Sequence, residues 1–243
     1  MRSPTVAVVT DATSPPAPAP LLARLAAETL GSGVLGGTVI GSGIMATLIS
    51  DDVGVQLLIN AVATGAALTV LILVLGPVSG AQLNPAVTAA LAVDGRVPLR
   101  EILPTVVAQL IGFALGAVVA NLMFGSAAVS ISTTLRGEPG QLLGEVVATA
   151  GLVAVILTLV ARAQQAWIPA AVGLYITSAY FATSSTSFAN PGITLGRMLS
   201  DSFAGIAPES ALPYIAAQLV GAAVGLLLVR LVIAPRAQRV AAV

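Results

Sequence analysis

Six apolar stretches, at roughly residues 22–49, 55–79, 101–124, 140–162, 168–185 and 211–234, are each long enough to cross about 30 Å of hydrocarbon. A chain inside a bilayer must satisfy its own backbone hydrogen bonds, so these stretches predict helices and an all-α membrane protein with six transmembrane helices. The composition agrees with that reading. Of 243 residues 57% are hydrophobic and only 8% charged, and the mean hydropathy is +1.00, well outside the range of soluble domains.

An even number of crossings puts both termini on one side. Arg2, Arg24, Arg96, Arg100, Arg162, Arg230, Arg236 and Arg239 fall on that side, with Arg136 and Arg197 opposite. The positive-inside rule makes the arginine-rich side cytoplasmic, and Asp51, Asp52, Glu138, Asp201 and Glu209 then lie outside. The expected location is the cell membrane, multi-pass, with both termini cytoplasmic. Residues 1–21 lack a secretory leader and end in a Pro/Ala-rich tract, so they read as a flexible cytoplasmic tail, with a second tail at 235–243.

Several function classes are excluded by what the chain lacks. It has no cysteine and no histidine, which removes disulfides, thiolate or imidazole metal sites and every nucleophile that relies on a histidine base. No metal, no cofactor and no enzyme activity are expected. The ten basic residues are arginines spread singly, so a nucleic-acid partner is not expected either, and the lipid bilayer is the evident surrounding.

The chain also repeats itself. Glu28 in the first span matches Glu145 in the fourth, and "SGAQLNPAVT" at 79–88 matches "SFANPGITLGR" at 187–197, pairing Asn84 with Asn190. In the third spans, "PTVVAQLIGFALG" at 104–116 and "PYIAAQLVGAAVG" at 213–225 share Pro, Ala, Gln, Leu and both Gly positions. The repeats cover about 22–124 and 140–234 within one domain, 22–234. Three crossings per repeat is odd, so the second repeat enters from the opposite face and is inverted.

Each Asn-Pro opens an apolar segment of about ten residues, roughly 15 Å of helix and too short to cross alone. Asn is a strong N-cap and Pro is favoured at the first helical position, so Asn84, Pro85 and Ala86, and Asn190, Pro191 and Gly192, start re-entrant half-helices. Inversion brings the two starts together near the midplane. The non-helical backbone before each Asn can only line a water-filled passage, and two positive helix ends there disfavour cations, hydronium included.

Taken together, the paired Asn-Pro motifs, the intramembrane Glu28 and Glu145 and the inverted repeat resemble the aquaporin and aquaglyceroporin channel family over residues 22–234. The resemblance implies that Glu28 and Glu145 hold the half-helix loops, with Gln82 in a supporting place where the family usually has His. It also implies a homotetramer with one pore per copy. Glycines 31, 33, 36, 37, 41, 43, 112, 116, 221 and 225 are expected to let helices approach closely.

The chain departs from the family at the outer filter. Gly192 stands where Ala is usual, and Ile193 where the filter arginine is usual. Counting back from Asn84 puts the second-span filter position on Thr64 in place of a large aromatic. Counting back from Asn190 gives Ser187 and Ser178, the last moving to Tyr180 if the outer loop is shorter. Thr64, Ser178, Ser187 and Ile193 together imply a wider, less water-selective pore. Arg197, one turn past Ile193, is read as an ion-pairing or outer-interface residue, with Asp201 the candidate partner.

The function expected from this is a passive channel for water and small uncharged solutes, either glycerol-like polyols or metalloid hydroxides such as arsenous acid. An ion-coupled secondary transporter of a small solute is the alternative, because inverted repeats with midplane half-helices occur there too.

Overall fold

The structure, a computed structural model, describes residues 19–233. The expected tails therefore lie outside the described residues apart from 19–21. Every regular element described is helical: α1 (Leu21–Ile49), α2 (Val53–Ser79), α3 (Pro85–Val93), α4 (Leu99–Met123), α5 (Pro139–Ala161), α6 (Ile168–Ala182), α7 (Pro191–Arg197) and α8 (Pro208–Leu228). A short 3₁₀ turn precedes α6 and a π turn, Val229–Ile233, extends α8.

Local chemistry sets the helix ends. Asp52 caps α2 by accepting from Val55 N at 2.9 Å, and Gln141 Oε1 accepts from Gly137 N at 2.7 Å at the start of α5. Proline occupies the first turn of α3, α5, α6, α7 and α8, where its missing N–H costs nothing. Gly80 ends α2 in the left-handed region at φ 86°, which a residue without Cβ adopts freely.

Five helices are long and apolar enough to cross a membrane on their own. The sixth crossing, expected at 168–185, is the 15-residue α6, about 22 Å at 1.5 Å per residue, with the 3₁₀ turn completing the inner end. Leucines 73, 103, 174, 212 and 231 point outward from the bundle, which is where hydrocarbon would lie.

The inverted repeat is visible in matched helix contacts. Helix α1 packs on α4 as α5 packs on α8. A Cβ on Gly112 or Gly116 would run into the carbonyls of Thr29 or Gly33, and one on Gly221 or Gly225 into those of Val146 or Ala150. Both pairs are four residues apart on one helix face, and bare backbone is what permits these approaches. Helices α2 and α6 cross at Gly65 and Gly173, each flanked by a threonine, Thr69 and Thr177, that donates back to the glycine carbonyl four residues before it. The two short helices α3 and α7 enter from opposite faces and meet inside the ring of six. We term the face where α1 starts the inner face and the other the outer face.

Candidate functional site

The half-helix starts are joined reciprocally. Asn84 Oδ1 accepts from Ala86 N at 2.9 Å and Val87 N at 3.4 Å, capping α3, while its Nδ2 donates to Ala189 O at 2.8 Å. Asn190 does the same for α7, accepting from Gly192 N at 2.9 Å and Ile193 N at 3.2 Å, with Nδ2 donating to Leu83 O at 2.8 Å. Each amide thus caps its own helix and fastens the loop of the other.

Both loops hold costly backbone. Ala81 and Leu83 before Asn84, and Ser187 and Ala189 before Asn190, have φ between 43° and 49°, a region that costs a non-glycine residue about 1–2 kcal/mol. Buried carboxylates offset that cost. Glu28 accepts from Gln82 N at 2.9 Å, Leu83 N at 2.8 Å, Ser79 Oγ at 2.7 Å and Gln109 Nε2 at 2.8 Å. Glu145 accepts from Phe188 N at 2.9 Å, Ala189 N at 2.9 Å and Gln218 Nε2 at 2.6 Å. A buried carboxylate is tolerated when its lone pairs are filled in this way.

The sequence reading missed the outer part of this network. Gln109 Nε2 also reaches Thr88 Oγ1 at 3.0 Å and Gln218 Nε2 reaches Thr194 Oγ1 at 2.9 Å, and each threonine donates to the carbonyl of its capping Asn. A signal was present: Gln is identical in the two third-span copies, and Thr stands four residues after each Asn.

A cavity of about 610 Å³ runs past the two asparagines, lined from Gln165 and Ala166 at the inner face to Arg197 at the outer end of α7. Its lining combines aliphatic side chains, Leu68, Ile72, Leu152, Ile156, Val172 and Ile176 among them, with the polar residues Gln82, Asn84, Asn190, Ser187, Thr64 and Tyr180 as well as Gln165 and Arg197. Pro85, Ala86, Pro191 and Gly192 are buried behind the asparagines and do not line it. Gly192 has a steric reason: a Cβ there would lie 2.6 Å from the Phe113 ring and 3.2 Å from Pro85 Cδ. In the first repeat the matching pair is Ala86 and Ala222, both members of one buried apolar cluster. The volume removed at residue 192 reappears at residue 113.

The outer end differs from expectation in three respects. Ser178 is exposed and does not line the cavity, whereas Tyr180 is buried and does. Two residues turn a helix by about 200°, so the shorter loop between α6 and Asn190 exchanges one face for the other. Tyr180 OH shares a 3.1 Å hydrogen bond with Thr64 Oγ1, so an aromatic ring occupies a level where small side chains had implied width. Ile193 and Ser187 line the cavity as the count from Asn190 places them, and Ser187 Oγ is buried without a partner among the described residues.

Arg197 is not paired with Asp201. Its Nε donates to Ala204 O, its guanidinium lies 3.4 Å from the Phe188 ring centroid, and it lines the cavity. Asp201 accepts from Thr133 N at 2.9 Å instead. Arg136, from the loop after α4, also lies 5.2 Å from the Phe188 ring centroid and donates to Gly205 O at 2.9 Å. Burial pushes the Arg136 guanidinium down from its ordinary value, with Tyr214 opposing. Cationic groups therefore stand at the outer end of a lumen whose centre already carries two helix N-termini.

Comparison with known proteins agrees with this geometry. The family model described as major intrinsic protein matches residues 18–187 and 161–243. The chain is 44% identical over 215 residues to the protein named aquaglyceroporin AqpS of Rhizobium meliloti (strain 1021), covering 88% of this chain and 92% of that one. It is 35% identical over 170 residues to the probable aquaporin AqpM of Archaeoglobus fulgidus, covering 64% and 68%. Among solved structures, the aquaglyceroporin from Plasmodium falciparum superposes with a TM-score of 0.70 over 89% of this chain and 98% of that one, at 24% identity, a likeness of fold.

Proposed function

The chain belongs to the major intrinsic protein family, and from that premise we propose that it is a passive channel for water and small uncharged solutes, either glycerol-like polyols or metalloid hydroxides such as arsenous acid. The observation that carries this reading is the reciprocal Asn84–Asn190 arrangement beside a cavity of about 610 Å³. A solute crossing there meets both polar residues and aliphatic side chains in one lumen, which suits a small molecule with hydroxyl groups and an apolar part. Two helix N-termini and Arg197 disfavour cations along the same path.

In this reading Thr64, Tyr180, Ser187, Ile193 and Arg197 form the selective outer end, Asn84 and Asn190 the central constriction, and Glu28, Glu145, Gln109 and Gln218 the supports of the loops. The channel sits in the cell membrane with its inner face cytoplasmic, as four copies each with its own pore.

The test is stopped-flow light scattering of proteoliposomes stepped separately into sucrose, glycerol and arsenous acid. Faster shrinkage in sucrose and faster re-swelling in at least one of the two solutes, relative to protein-free vesicles, are expected. Relaxations equal to those of empty vesicles in all three would remove the channel reading.

A further inference from the structure

A second cavity, of about 210 Å³, opens at the inner face between α1, the loop after α2 and the start of α4. It shares Gly80, Gln82 and Leu91 with the wall of the main lumen, so the Gln82 side chain stands in the partition between the two.

The inverted repeat explains why space exists there. Aligning Pro104 with Pro213 matches Thr105 to Tyr214, and counting back two residues from each Asn matches Gln82 to Phe188. In the second repeat those positions are a packed aromatic pair, Phe188 and Tyr214, with ring centroids 5.2 Å apart and planes at 68°. Arg136, from the loop after α4, and Arg197, the last residue of α7, close over Phe188. In the first repeat the same place holds an amide and a small hydroxyl side chain, and Thr105 lines the chamber that results.

The lining selects a kind of occupant. Arg24 Nε and Gln82 Oε1 are buried and without hydrogen-bond partners among the described residues, one a donor and the other an acceptor. The Arg24 charge is matched by Glu101, through bonds of 2.7 and 3.0 Å; of the two other charged residues in the lining, Arg96 is paired with Asp94 at 3.0 Å and the Glu28 carboxylate is occupied by Ser79 Oγ, Gln82 N, Leu83 N and Gln109 Nε2. A neutral molecule that both donates and accepts fits: water or a small hydroxyl compound.

We propose that this chamber is a lateral inner-face route into the lumen for water and small neutral hydroxyl solutes, with Gln82 as its door. The inference rests on the channel reading above. In the second repeat the aromatic pair occupies the matching place.

The test uses the absence of native cysteine: Thr105→Cys gives a chain with a single thiol, lining the chamber. The variant in proteoliposomes is treated with neutral 2-hydroxyethyl methanethiosulfonate, scored for labelling by intact mass and for water and glycerol flux by stopped flow. Labelling with a loss of flux that dithiothreitol reverses is expected. A refractory thiol, or full labelling with flux unchanged, overturns the lateral route and leaves the channel reading standing. Thr105→Tyr, which supplies the plug of the second repeat, is the companion variant. It should elute as the unmodified protein does and conduct less, and unchanged conduction would overturn the proposal independently. An absence of flux from the unmodified chain would instead remove the channel reading.

Discussion

Asn84 and Asn190 hold each other's loops: the side-chain amide of each donates, at 2.8 Å, to the carbonyl immediately preceding the other. The arrangement follows from inversion, since two equivalent half-helices entering from opposite faces meet head to head. It turns each asparagine into both an N-cap and a cross-brace, so neither half-helix can shift without unpairing the other.

Replacing Glu28 or Glu145 with Ala should harm folding before it harms selectivity. Loss of Glu28 unpairs Gln82 N, Leu83 N and Ser79 Oγ and leaves Gln109 Nε2 with Thr88 Oγ1 alone, at about 1–3 kcal/mol for each buried group left unpaired. Thermal stability in detergent and the yield of folded protein should fall sharply. A well-folded Ala variant with abolished flux would assign the carboxylate a direct part in transport.

Gly192 and Phe113 should be energetically coupled. Gly192→Ala forces a methyl against the Phe113 ring and Pro85 and should destabilise by about 1–3 kcal/mol, as overpacking does. Adding Phe113→Ala rebuilds the Ala86–Ala222 pairing of the first repeat and should recover part of the loss. Strict additivity of the two losses in a double-mutant cycle of thermal stability would show that the residues do not share the space.

The outer end of the lumen was only half legible in the sequence. The repeats, the half-helices and the carboxylate supports follow from local patterns: matched Asn-Pro pairs, matched Glu, and apolar length. Which residue of α6 faces the lumen depends on a loop length that no local pattern records, and an error of two residues exchanges Ser178 for Tyr180. The place of Arg197 was hidden for a different reason. Its neighbour in sequence, Asp201, offered an obvious ion partner, whereas the guanidinium is held by Ala204 O and Phe188, contacts made by the fold of the outer loop. Gly192 departs from the usual motif because Phe113, distant in sequence, fills the space a Cβ would need.

Ser178→Ala and Tyr180→Ala should therefore separate. The first alters an exposed position and should leave flux unchanged. Removing the Tyr180 ring and its bond to Thr64 should raise glycerol permeability relative to water. Equal glycerol-to-water ratios in the unmodified protein and the Tyr180 variant would take Tyr180 out of the filter.

Permeation should be flat across about pH 5–8, because the chain has no histidine and histidine is the side chain whose ordinary titration falls in that interval. Water flux in proteoliposomes buffered at successive pH values checks this. A sigmoidal step within the interval would require a titrating group in the path.

The central claim, that neutral molecules pass where protons do not, is tested most directly by following osmotic shrinkage and internal pH in the same proteoliposomes, with a pH-sensitive dye inside and a potassium–valinomycin potential imposed. Accelerated shrinkage is expected, with an internal pH trace matching that of empty vesicles and unaffected by adding glycerol. A potential-driven pH change that depends on the protein, or one that appears only with solute, would contradict it and would favour an ion-coupled transporter.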